Sequence, residues 1–188
     1  KAYLPKEFVN AILTLYEDKT QLKDVEGKEV EYMQAKANLN SLYGMTVTDI
    51  VRDDIYYENH EWISEAPELE HAIEKYNNSR ARFMFYPWGV WVTAYARVNL
   101  WTGIIAAQND YVYSDTDSLK MLHGDRHKDY IDLYNKMIEQ KIVKAMKYHD
   151  FPINRTRPKT IEGVEKPIGV RDYEGHYTKF KTLGAKRY

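Results

Sequence analysis

Two periods of apolar and polar residues run along the chain, and the switch between them marks its elements. Pro5 suits the first turn of a helix, and after it Phe8, Ala11, Ile12 and Leu15 recur at i, i+3, i+4 and i+7. This pattern predicts an amphipathic helix running past Lys19 to about Lys23. Gly27 then marks a turn. A second helix is expected from about Glu31 to Tyr43, ended by Gly44 in the position that favours glycine. Residues 45–66 mix β-branched residues, tyrosines and acids and read as short strands and loop. Pro67 opens a third expected helix with Leu69, Ile73 and Tyr76 inward, weakened near its end by Asn77-Asn78-Ser79. Tyr86-Pro87-Trp88-Gly89 reads as a break before a fourth helix, about Val90 to Ala107, with Val98, Trp101 and Ile105 as its apolar stripe.

Strand-like flanks follow. Asp110-Tyr111-Val112-Tyr113 and Leu119-Lys120-Met121-Leu122 border a polar break and predict a β-hairpin. A fifth helix is expected over about Lys128 to Tyr148, with Ile131, Tyr134, Ile138 and Ile142 inward. Pro152 to Pro158 reads as a basic loop, and residues 160–188 as short strands with glycine turns. Helices and antiparallel hairpins in blocks favour an α+β class, with a small antiparallel sheet packed on helices.

The 188 residues allow one large domain or two small ones, and 44% hydrophobic residues can build a core. No apolar run approaches the ~20 residues of a membrane span, so no membrane partner is expected. The chain has no cysteine, which excludes disulfides and zinc-thiolate sites and fits an intracellular, cytoplasmic setting. A net charge of -1 lacks the basic excess common in nucleic-acid-binding domains. The balance hides clusters, however: residues 178–188 hold Lys179, Lys181, Lys186 and Arg187 and no acid.

Candidate chemistry gathers in two places. The hairpin tip, Tyr113-Ser114-Asp115-Thr116-Asp117-Ser118, sets two carboxylates two residues apart. Alternate residues of an extended chain point the same way, so Asp115 and Asp117 are expected to project together. Paired hard oxygen ligands favour Mg²⁺ or Mn²⁺, the metals of phosphoryl transfer. The alternative is an ordinary polar turn, which Asp and Ser also favour. In the second helix, Lys36, Asn40 and Tyr43 fall on one face at i, i+4 and i+7. A cation, an amide and a ring with a hydroxyl suit phosphate, sugar or base, and stacking; a solvated helix face is the alternative. Lys19 and Lys23 add two cations on one face of the first helix, equally readable as a surface pair.

Taken together, Lys36-x-x-x-Asn40-Ser41-x-Tyr43-Gly44, followed about 70 residues later by Tyr113-Ser114-Asp115-Thr116-Asp117-Ser118, resembles the family B DNA polymerases. The first motif looks like their fingers motif and the second like their palm metal motif. Thr93-Ala94-Tyr95-Ala96-Arg97 is similar to the Thr-x-x-Ala-Arg element of the phage and protein-primed branch, and Lys186-Arg187-Tyr188 to the Lys-x-Tyr motif. The resemblance covers about Lys19 to Tyr188, loosely over 46–86. It implies three parts: fingers helices over 1–45, an insertion or connecting segment over 46–86, and the C-terminal part of the palm over 87–188.

The resemblance implies template-directed transfer of deoxynucleotides from dNTPs to a primer 3′-hydroxyl, with two Mg²⁺ or Mn²⁺ ions. It makes Asp117 and Asp115 the catalytic, metal-binding acids, with Asp117 the stronger candidate. Lys36, assisted by Lys19 and Lys23, would neutralise the triphosphate. Asn40 and Tyr43 would line the nucleotide pocket, and Ser41 and Gly44 would lie against the template. Thr93 and Arg97 would meet DNA, and Lys186 and Tyr188 the primer. Primer-template DNA is the implied partner, with a terminal protein or other replication proteins beside it. One departure matters: the family's further aspartate motif, Asp-x-x-Ser-Leu-Tyr-Pro, is absent. The expectation is therefore a fragment, inactive by itself as a polymerase. A non-catalytic nucleic-acid-binding module and a metal-dependent nuclease are the competing readings.

Overall fold

The apolar and polar periods of the sequence become five helices and two hairpins in the computed structural model, which describes residues 3–80 and 82–184. The order is α1 (Lys6–Leu22), α2 (Glu29–Thr46), β1 (Asp54–Glu58), β2 (Glu61–Glu65), α3 (Leu69–Asn78), α4 (Tyr86–Ala107), β3 (Tyr111–Asp115), β4 (Ser118–Met121) and α5 (Lys128–His149). Short 3₁₀ turns lie at Gln108–Asp110, Gly124–His127 and Ile153–Thr156. The two sheets are antiparallel pairs, β1 with β2 and β3 with β4, so the chain is an α+β protein. It divides into two compact units: one holds the residues up to Leu39 and those from Thr93 onward, the other Asn40–Val92. The stretch 46–86 falls inside the second.

In the first unit, Leu13 of α1, Ala35 of α2, Ala107 of α4, and Tyr134 and Met146 of α5 are buried. Arg155, in the 3₁₀ turn after α5, holds α1. It donates to Asn10, Thr14 and Glu17, which recur on one face of that helix. Arg171 joins α4 to α5: its guanidinium donates to the Asn99 carbonyl at 2.7 Å and lies 4.8 Å from the Tyr134 ring centre. Asn135 closes the joint by accepting from the Arg171 N–H and donating to its carbonyl. The α5 stripe holds as expected, with Gly169 packed so closely on Ile138 and Ile142 that a Cβ there would lie 3.2 Å from Ile138.

On α4 the expected stripe faces the other way. Val98, Trp101 and Ile105 are 56, 59 and 68% exposed, while Gly103 and Ala107 are buried. The reason is close approach: a Cβ on Gly103 would meet the Arg171 guanidinium at 2.8 Å and Leu119 of β4 at 3.1 Å. The small-residue face therefore carries the hairpin. Residues 160–184 form no strand among the described residues; Glu165 makes an isolated bridge with Lys159. Left-handed Gly163 and Gly169 (φ 82° and 77°) turn the chain on either side of that bridge residue.

In the second unit, three expectations shift. Gly44 lies inside α2 and does not end it. The last carbonyls are taken by the Thr46 and Thr48 hydroxyls, which bond to Tyr43 and Gly44, and by the Val47 N–H, so no glycine cap is needed. Tyr86-Pro87-Trp88-Gly89 is not a break but the first turn of α4, where proline is tolerated. Gly89 is buried there, because a Cβ would collide with Val47 and lie 2.8 Å from the Thr46 hydroxyl. Third, α3 starts at Leu69 rather than at Pro67 and buries Ala72, leaving Leu69 and Ile73 exposed. So short a helix seats one narrow side, and the smaller residue fits it.

Candidate functional site

The hairpin that bears the acids is built from Asp110 onward. Asp115 pairs with Ser118, Ser114 with Leu119 and Tyr113 with Lys120, with an irregularity before Tyr111 pairs with Met121. Leu119 seats the hairpin on Gly103 of α4, and the Tyr113 ring lies 5.5 Å from that of Phe180. The strand ends at Asp115, and Thr116 turns the chain with a left-handed φ of 55°. The alternation that would align Asp115 with Asp117 thus stops one residue short. Asp115 is half-buried and accepts a bond from the Thr116 hydroxyl at 3.0 Å, whereas Asp117 stands exposed at the tip.

The charge at that tip reaches a lysine of the first helix. Burial pushes the Lys19 ammonium of α1 below its ordinary pKa, the charges of Lys36 on α2 and Lys23 on α1 push it further down, and Asp117 pulls it partly back. Three charged side chains from separate stretches of the sequence therefore act on Lys19 in the first unit. Lys19 also lies 5.5 Å from the Tyr16 ring centre, and Lys23 meets its neighbour Asp24 at 4.0 Å. Neither Lys19 nor Lys36 has an ion-pair partner among the described residues. A lysine whose charge is disfavoured by two like neighbours gains most from an incoming polyanion.

The other motif residues are distributed differently. Asn40, Ser41, Tyr43 and Gly44 lie on α2 within the second unit, all exposed. Thr93 is half-buried and Arg97 exposed on α4, and among the described residues no hydrogen bond or ion pair joins Arg97 to the lysine group. Lys186 and Tyr188 lie outside the described residues.

Sequence reasoning missed the clamp at the base of the hairpin. Asp110 engages His123 Nδ1 through one oxygen at 3.0 Å and His127 Nε2 through the other at 2.9 Å. These bonds, His123 first, hold the Asp110 carboxyl below the usual carboxylate range. Its carbonyl accepts from the Leu122 N–H at 2.8 Å, so one residue ties the entry strand to the exit strand and to the turn before α5. The signal was an acid entering the hairpin and two histidines leaving it.

Asp115 and Asp117 are hard oxygen donors suited to Mg²⁺ or Mn²⁺. Among the described residues, no three His, Asp or Glu side chains are grouped to hold one ion, so the hairpin offers a partial donor set. Chemically, the site can bind a phosphate-rich anion on three lysines beside a carboxylate able to share a divalent cation. Comparison with protein-family models, curated proteins and solved structures gives no match for this chain.

Proposed function

We propose that this chain is part of a template-directed DNA polymerase that transfers deoxynucleotides from dNTPs to a primer 3′-hydroxyl. The observation that supports the reading is that the charges of Lys36, Lys23 and Asp117 all act on Lys19. Two motifs that resemble the fingers and the palm of one enzyme family thereby reach the same lysine, a cation for a triphosphate, one of them through a carboxylate suited to its metal. A nuclease built on the acidic hairpin would not need the lysines.

In this reading Asp117 and Asp115 share Mg²⁺ or Mn²⁺ with oxygen ligands beyond those described. Such ions, when bound, activate an attacking oxygen and neutralise a leaving pyrophosphate. The lysines bind and orient the triphosphate. Its negative charge offsets the burial and the repulsion that lower the Lys19 pKa, so Lys19 is held fully protonated in the complex. The motif resemblance further assigns Asn40 and Tyr43 to nucleotide contact, Ser41 and Gly44 to template, Thr93 and Arg97 to DNA, and Lys186 and Tyr188 to primer.

The test is dNTP affinity of the purified chain by calorimetric titration with Mg²⁺ present. Each lysine lost should weaken binding roughly tenfold, the scale of one charge-assisted bond. Lys19→Ala/Lys36→Ala should therefore bind about a hundredfold more weakly. Affinity equal to that of the unchanged chain would remove the reading.

A further inference from the structure

The β1–β2 hairpin carries an open aromatic face inside a field of one sign. Tyr57 and Trp62 are directly opposed in register, so they share a face, and Ile55 joins them two residues along. The Tyr57 and Trp62 rings lie 5.2 Å apart at 56°. These three side chains are 68% (Ile55), 57% (Tyr57) and 75% (Trp62) exposed. The opposite face differs: Ile63, opposed to Tyr56, is half-covered. The cross-strand pair supports the hairpin, but side chains this large left mostly open bury little area in folding, and Trp and Tyr are the residues that anchor interfaces.

The surrounding charge says what can dock there. Residues 51–66 hold five carboxylates, Asp53, Asp54, Glu58, Glu61 and Glu65, against the single cation Arg52. Among the described residues none of the five is in an ion pair. Two are tied to neutral groups: Asp53 accepts from the Ser64 hydroxyl at 2.8 Å, and Glu65 bonds the Tyr56 hydroxyl and raises its pKa. Only Arg52 before the hairpin and His60 in its turn lie among these five acids, so the field repels phosphate and attracts lysine and arginine.

We infer that the Ile55/Tyr57/Trp62 face is a docking surface for a lysine- and arginine-rich segment of a partner protein, the aromatic pair packing on its apolar stems and the flanking acids pairing with its charges. Aromatic rings accept bound cations on their faces, which suits the same partner. Stacking of nucleic-acid bases also uses such rings, but its sites track the phosphate backbone with a basic groove. This hairpin has the opposite charge. The inference concerns the second unit and does not rest on the polymerase reading.

A fluorescent lysine/leucine-rich peptide titrated with the 188-residue chain tests it, followed by anisotropy at low and high salt, beside a neutral peptide of equal length and a single-stranded oligonucleotide. Trp62→Ala and Tyr57→Ala sit on an exposed face, and circular dichroism checks that they remain folded. The expected result is basic-peptide binding that falls at least tenfold in Trp62→Ala, falls similarly in Glu58→Lys/Glu61→Lys, and weakens with salt. The neutral peptide should bind more weakly, and Trp62→Ala should leave oligonucleotide binding unchanged. Basic-peptide binding indifferent to Trp62 would overturn the inference. So would oligonucleotide binding lost in Trp62→Ala, or self-association of the chain abolished by that change.

Discussion

Arg155→Ala should loosen the helix that presents Lys19 and Lys23. Arg155 grips Glu17 with a fork, Nε to Oε1 at 3.0 Å and Nη2 to Oε2 at 2.9 Å. Its Nη1 donates to Asn10 at 2.7 Å and its Nη2 to Thr14 at 3.0 Å. The Arg155 and Glu17 side chains are 20% and 25% exposed, between a buried pair and a surface one. Exposed ion pairs contribute about 0–1 kcal/mol, and shielded charge-assisted bonds about 1.5–3 each. The fork should thus supply about 1.5 kcal/mol, and the two neutral acceptors about 0.5 each at the low end of their range. Loss of about 2–3 kcal/mol lowers Tm by roughly 5–10 °C in a chain of this length. Urea and thermal denaturation of Arg155→Ala measure it, and a cycle with Glu17→Gln should show a coupling of about 1 kcal/mol or more. Arg155→Lys keeps the charge without the fork and should recover less than half of the loss. A change below about 0.5 kcal/mol in Arg155→Ala, the level of a plain surface substitution, would refute the reasoning.

Two further outcomes follow from the same geometry. The folded pKa of Asp110 lies below its unfolded value, so its bonds to His123 and His127 stabilise above about pH 4 and are lost as pH falls through the depressed value. The urea midpoints of the unchanged chain and Asp110→Asn should converge as pH falls from about 5 toward 3; a gap unaltered at pH 3 contradicts this. Gly89→Ala should destabilise by about 1–3 kcal/mol despite alanine's better helix propensity, because its Cβ collides with Val47 beside the Thr46 hydroxyl; a stabilised variant in urea denaturation would show that contact to be soft.

Helices whose apolar stripes are large residues were legible in the chain. The α1 stripe of Phe8, Ala11, Ile12 and Leu15 is half-buried beside the buried Leu13, and α5 follows its expected span within one residue while burying Tyr134. Hydropathy misled on α4, where it weighs Trp101 and Ile105 above Gly103. Packing against Arg171 and Leu119 rewards the absence of a side chain, which no hydrophobic period records. Glycine misled at Gly44, which favours a helix stop by type but lies inside α2, where threonine hydroxyls take the last carbonyls. The residue types of the candidate site were visible in two motifs. That Asp117 and Lys36 both act on Lys19 is a tertiary fact, since the hairpin tip lies about a hundred residues beyond α1. The Asp110 clamp is local, but it depends on the turn geometry that brings His123 and His127 back to the start of the hairpin.

The sign of one charge tests the central claim most directly. Inorganic triphosphate is titrated into the unchanged chain and into Asp117→Asn, without divalent metal and then with Mg²⁺. The Asp117 charge acts on Lys19, so without metal it opposes a polyanion bound there, and removing its charge should tighten binding several-fold. With Mg²⁺ present the order should reverse, because Asp117 then shares the cation that the triphosphate carries. Identical affinities of the two proteins under both conditions would contradict the account.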